Sequence, residues 1–291
     1  MPVVQHPVFN RPLVSTKLWR YTDIPKFIDL LTSNQLWLSN LEILAKDDPY
    51  EGAPGALQFP HRTWKSITET PDILKRQIID IYGDKSSNSP EEAFRTWFML
   101  QEQQYIYEAS WRRQYFVNCW HASSHESVAM WKIYGSPGSG VAIVTNGARI
   151  ETALSSNEQV LYLGEVKYEE PDVVDFGRSN SFQSVIVKRV NYRYEHEVRL
   201  VYYNTDDMHD PLEKFSWNEE IMRFDDIIED IRPISPGISL QCDVDVLIER
   251  VIISPEAPRW YLPMIERLRD SFGFKFPVEI SKIFTAPRAL P

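Results

Sequence analysis

The run Tyr194-Glu195-His196-Glu197-Val198-Arg199-Leu200-Val201-Tyr202 constrains this chain more than any other segment. Its alternation has the two-residue period of a β-strand, whose successive side chains point to opposite faces. The spacing predicts Glu195, Glu197 and Arg199 on one face, with Tyr194, Val198, Leu200 and Tyr202 packed mostly the other way. Two carboxylates and a guanidinium along one face are costly to bury without partners. One reading is an exposed face carrying cross-strand ion pairs. The sharper reading makes Glu197 a catalytic carboxylate and Glu195 a second one that positions substrate, with Arg199 keeping one of them ionised.

Further strands are predicted over 18–22, 36–39, 115–120, 141–144 and 159–168, from alternation and from Val, Tyr and Leu content. Pro25 sits where a helix begins, and Phe27, Ile28, Leu30 and Leu31 supply its apolar stripe. Between 71 and 113 the period becomes helical, with Ser89 as an N-cap and Glu91 and Glu92 in the first turn that follows. Met130, Trp131 and Tyr134 lie at helical spacing and read as core. A stretch over 205–235 reads as acidic and irregular, and 236–291 as strand, helix, strand. The expectation is one α+β domain over 1–291, with a mainly antiparallel split sheet, an N-terminal arm over 1–16 and a helical insertion over 63–114.

Composition narrows the function classes. Lys and Arg total 31 against 41 Asp and Glu, a net charge of −10, which disfavours non-specific binding to nucleic acid or anionic membrane. The two cysteines, Cys119 and Cys242, can build neither a disulfide framework nor a four-cysteine zinc site, and they read as reduced residues of a cytoplasmic protein. No apolar run reaches membrane-spanning length. No phosphate loop, dinucleotide glycine turn, H-E-x-x-H or C-x-x-C motif is present. His121 and His125 are four apart, but they read as a strand end and a turn, so no metal is expected.

The order of the pieces carries a resemblance. Leu18-Trp19-Arg20-Tyr21 is followed by Leu36-Trp37-Leu38-Ser39, Asp48-Pro49-Tyr50-Glu51, Met130-Trp131-x-x-Tyr134 and Glu195-x-Glu197-x-Arg199. From Leu18 to Ile283 the chain resembles the bacterial domain-of-unknown-function family 2971. In outline that layout is similar to the ADP-ribosyltransferase superfamily: an early strand with a His or Arg for the NAD ribose, a middle strand with Ser or Thr, and a late strand with a catalytic Glu, often as Glu-x-Glu.

That resemblance implies an NAD-dependent transferase, with NAD as substrate. Glu197 would be catalytic with Glu195 before it. Arg20 with Thr22 would hold the ribose, Ser123 or Ser124 would match the middle strand, and one of Trp19, Tyr21 or Trp120 would wall the nicotinamide ring. It also implies that Arg20 and Glu197 share one cleft. The alternative is a non-catalytic module that recognises a protein or a nucleotide-like ligand.

Overall fold

The computed structural model describes residues 2–63, 67–83, 89–170, 173, 180–206, 210–218, 220, 222–226 and 235–284. The chain enters its sheet as β1 (Lys17–Thr22) and turns directly into α1 (Ile24–Ser33). Asp23 caps this helix by accepting from the Lys26 amide at 2.8 Å, Pro25 fits its first turn, and Asn34 ends it in the left-handed region. Then follow β2 (Gln35–Asn40), the short α2 (Leu41–Leu44), α3 (Asp72–Tyr82) and α4 (Pro90–Ser110). Ser89 and Glu92 close a reciprocal capping box at the start of α4.

The middle of the chain holds β3 (Tyr115–Ala122), α5 (Val128–Tyr134), β4 (Val141–Asn146), α6 (Gly147–Ala153), β5 (Leu161–Glu165), β6 (Lys167–Tyr168), α7 (Gln183–Ile186), β7 (Val187–Lys188) and β8 (Glu197–Tyr203). The last part holds β9 (Phe215–Asn218), β10 (Arg223–Asp226), β11 (Gly237–Gln241), α8 (Val244–Leu247), β12 (Arg250–Ile253), α9 (Tyr261–Ser271) and β13 (Val278–Ile280).

The fold is α+β, and its main sheet is antiparallel throughout except where β13 pairs parallel to β12. β5, β8 and β3 lie side by side. The other edge of β3 is divided. Phe116 and Val117 pair with β2, whereas His121 and Ala122 pair with β1. Beyond those pairs the two strands splay apart and the sheet forks. One arm continues from β2 to β11, the other from β1 through β4 and β12 to β13.

Register assigns the faces. Leu18, Trp120, Ile143, Val198 and Leu200 look toward the largest apolar cluster, filled by Phe27, Leu30 and Leu31 of α1, Ile150 of α6 and Ile265 of α9. The opposite face carries two smaller clusters. One joins Tyr115, Val117 and Val201 to Val8, Phe9 and α7, and the other joins Trp19, Tyr21, Ala142 and Val144 to Met130 and Trp131 of α5. On that face a polar strip lies between them: Cys119, His121, Glu197 and Arg199.

Several expectations change. The strand at 194–203 begins only at Glu197. Residues Val190–Glu195 form a 3-10 turn, and His196 takes a left-handed φ of 38° that breaks the alternation. Val166 interrupts the segment at 159–168, leaving β5 and β6 in different sheets. The acidic stretch contains a hairpin, β9–β10, where Trp217 packs on Phe224 at 5.1 Å; its remaining residues lie partly outside the described ones. The N-terminal arm is docked rather than free: Val3 bridges Leu161, and Phe9 stacks on Tyr162 at 5.1 Å. Tyr134 is 44% exposed and is not core, while Met130 and Trp131 are buried. Its side of α5 faces the polar strip instead of the apolar cluster.

Candidate functional site

Glu197 opens β8 opposite His121, and Arg199 lies opposite Cys119. Strand geometry alone puts them on one face. Glu195 reaches the same place by a different route, because the left-handed turn at His196 folds the 3-10 segment back over the strand end. There the His121 ring lies 2.6 Å from the Glu195 carbonyl oxygen and pins that turn to β3. Two further elements complete the cluster. Lys188 ends β7, and Glu51 comes from the loop after α2.

The five side chains form one continuous charged network. Arg199 donates from Nε to Glu197 Oε1 at 2.7 Å and from Nη2 to Glu197 Oε2 at 3.2 Å, and its Nη1 lies 2.6 Å from Glu51 Oε1. The same Nη1 donates to the Val185 carbonyl at 2.6 Å. Lys188 Nζ lies 2.5 Å from Glu195 Oε2, 3.2 Å from Glu197 Oε2 and 3.8 Å from Glu51 Oε2. Arg199 is 0% exposed, and Glu51, Glu195 and Glu197 are 3%, 4% and 5% exposed. The charged face is therefore not solvent-exposed. Charges held this deep persist only because each is paired.

Three carboxylates against two cations leave one negative charge in surplus, and the two members of the Glu-x-Glu pair carry it differently. Burial works against the charge on Glu197, yet Arg199 and Lys188 outweigh it and hold this carboxyl far below the usual range. At Glu195 burial prevails over Lys188 and over the Tyr134 hydroxyl, so its carboxyl is raised. Lys188 itself is raised, the surrounding carboxylates overcoming its burial.

Tyrosines ring the cluster. Tyr134 donates to Glu195 Oε1 at 2.6 Å, and the Tyr168 hydroxyl accepts from the Glu197 amide at 2.8 Å. Lys188 sits 4.6 Å over the Tyr192 ring. Arg189 lies 4.9 Å over Tyr50 and pairs with Asp48 at 2.8 Å, which anchors the Asp48–Glu51 loop against the strand. Tyr50, Tyr134 and Tyr194 are 47%, 44% and 42% exposed, in contrast to the buried charged groups. Burial, reinforced by Glu195, raises the Tyr134 hydroxyl well above its ordinary value.

The expected ribose residues go elsewhere. Trp19 pairs with His121 and therefore shares the Glu197 face, as does Tyr21, whose ring is 6.2 Å from His121. Arg20 and Thr22 alternate with them and point to the opposite face, where Arg20 lies 5.9 Å from the Trp120 ring. Arg20, Thr22 and Trp120 thus share no cleft with Glu197; the register separates them by the thickness of the sheet. Tyr21 is on the correct face but is only 7% exposed, packed edge-on to Trp131 at 4.9 Å, and its hydroxyl accepts from the Ser127 amide. Ser123 donates to the His125 carbonyl at 2.7 Å within its own turn, and no contact joins it to Glu197.

Glu51, Lys188, Tyr134 and Tyr168 belong to the site and were not expected there. A signal existed for two of them, since Asp48-Pro49-Tyr50-Glu51 and Met130-Trp131-x-x-Tyr134 stand out as motifs. Read one at a time they suggest a turn and a core helix; in space both converge on Glu195 and Glu197. Nothing in the sequence around Lys188 marks it. Among the described residues no group of three or more His, Cys, Asp or Glu side chains is placed to hold a metal ion. Nor is any described helix long and apolar enough to cross a membrane. Comparison with protein-family models, with curated proteins and with solved structures finds no match to the chain.

Proposed function

We propose that the chain is an NAD-dependent transferase of the ADP-ribosyl type, with Glu197 and Glu195 as its working carboxylates. One observation carries the reading. Two carboxyl groups meet at the head of a central strand, and their surroundings push their proton affinities in opposite directions. Glu197 is a fixed anion. It suits the stabilisation of positive charge at the ribose C1′ as the bond to nicotinamide breaks and its electron pair leaves with the ring. Glu195 holds a proton more readily. It suits taking the proton that the acceptor nucleophile releases as it bonds to C1′. The exposed Tyr134 and Tyr194 offer aromatic surface near Glu195 for nicotinamide. β8, β3 and β1 lie side by side in the sheet, and Arg20 is not the ribose holder in this reading.

A second reading is a non-catalytic recognition module for a protein or a nucleotide-like ligand. It is favoured by the fact that each carboxylate of the cluster is already ion-paired. Incubation with labelled NAD and cell lysate separates the two. Transferred label or released nicotinamide, reduced on the order of 10²–10³-fold in Glu197→Gln, supports the transferase. NAD binding without turnover supports the module, and neither binding nor turnover removes NAD from consideration.

A further inference from the structure

Arg20 points into the fork of the sheet, on the face away from Glu197. The fork opens where β1 leaves β3 after Trp19 and where β2 leaves it before Ser39, with α1 spanning the gap. Within it Arg20 has no hydrogen bond and no carboxylate partner among the described residues, and its Nη1 is shut off from solvent. The guanidinium is buried, while the residue as a whole keeps intermediate exposure.

Two neighbours on the same face are also incomplete. Trp120 and Asn118 are each 1% exposed. Among the described residues the Trp120 indole N–H has no acceptor. Asn118 donates to the Trp37 carbonyl at 2.7 Å, but its own Oδ1 receives no hydrogen bond from the described residues. Buried polar groups are almost always satisfied, and a buried guanidinium without a counter-charge is costlier still. Burial lowers the Arg20 proton affinity, and the one titratable neighbour that opposes this is the Cys119 thiol, itself pushed well up by burial and so neutral. A water molecule could complete the hydrogen bonds but would leave the charge uncompensated.

We infer that the fork between β1, β2 and β3 is a binding site for a small hydroxylated oxyanion. Arg20 and the Trp120 indole donate to its charged oxygens, and Asn118 Oδ1 accepts from its hydroxyl. Shared chemistry admits a hydroxycarboxylate or a protonated phosphate group, and the probes distinguish them. This site is separate from the Glu195–Glu197 cluster.

The test is calorimetric titration of the whole chain with glycolate, inorganic phosphate and acetate in Tris-chloride, with thermal melts alongside. At least one of glycolate and phosphate is expected to bind and to raise the melting temperature. Acetate, with no hydroxyl for Asn118, is expected to bind on the order of tenfold more weakly than glycolate if the carboxylate is the form taken. Arg20→Met is expected to lose the anion response by at least roughly tenfold. It should melt no lower than wild type without anion, because an apolar side chain of similar length removes an uncompensated charge. Arg20→Lys, which keeps the charge but loses the planar fork of donors, should bind more weakly than wild type and covers the case in which the methionine variant fails to fold. A wild type that binds neither glycolate nor phosphate overturns the inference. So does an Arg20→Met or Arg20→Lys protein with wild-type affinity. Glu197→Gln should retain the anion response whatever its effect on NAD, so the two readings fail independently.

Discussion

Glu197 shows how burial changes the meaning of a charged residue. On an exposed strand face its ion pair would contribute only about 0–1 kcal/mol. Here it is chelated by the fully buried Arg199 and touched by Lys188. Glu197→Gln should therefore destabilise the fold by about 3 kcal/mol, because it leaves buried cations short of a partner. Thermal melts check this, and turnover assays must be made below the variant's melting temperature. Glu195 should behave differently. Its raised carboxyl marks the place where the surplus negative charge is least tolerated. Glu195→Gln should cost clearly less stability than Glu197→Gln at neutral pH, and equal losses would contradict the assignment. Trp131, 3% exposed and donating to Glu126 at 3.0 Å, is a conventional core residue. Its replacement by Ala should cost about 3–5 kcal/mol.

At the scale of elements, the N-terminal segment and the helical insertion depart from a simple sheet. Phe9 packs on Tyr162 and Phe182 and presses against Gly164, where an added Cβ would come within 2.9 Å of the Phe9 side chain. The segment thus closes the β5 edge of the sheet, and Phe9→Ala should lower the melting temperature by an amount equivalent to about 3–4 kcal/mol. The insertion has its own small core of Ile78, Phe94, Trp97 and Phe98. Beside it Glu102 is buried between His61 at 2.8 Å and Arg62 at 2.9 Å. With a core separate from the main cluster, it should open independently. Phe98→Ala is expected to speed amide exchange in α3 and α4 while β1, β3 and β8 keep their protection. Equal loss of protection in both regions would show that they unfold as one unit.

For the molecule as a whole, the charged network sets the acid limit of stability. Glu197 has a folded-state pKa below its unfolded value, so the stability it contributes is present above about pH 4.5 and is lost as pH falls toward the folded value. Glu195 has the opposite sign. Its folded-state pKa is raised, so stability declines as pH rises from the unfolded value through the folded one. Wild type should lose stability steeply below about pH 4, and Glu197→Gln should flatten that acid limb. Denaturant titrations across pH 3–7 make the comparison.

The sequence by itself determined the local terms. Two-residue alternation marked β1, β2, β3 and β4, Pro25 and Ser89 marked helix starts, and Glu195, Glu197 and Arg199 were legible as an unusual charge group. Tertiary structure decided what such local signals cannot hold, namely partners distant in the chain. Glu51 lies far from Arg199 in sequence and 2.6 Å from it in space, and Lys188 joins both glutamates from a two-residue strand with no pattern of its own. It also decided the faces. The pairing of Trp19 with His121 sets which side of the sheet each β1 residue takes, so Arg20 falls on the face opposite Glu197. Because the side-chain period of a strand is two, a register that no single segment encodes moved the guanidinium from one site to another.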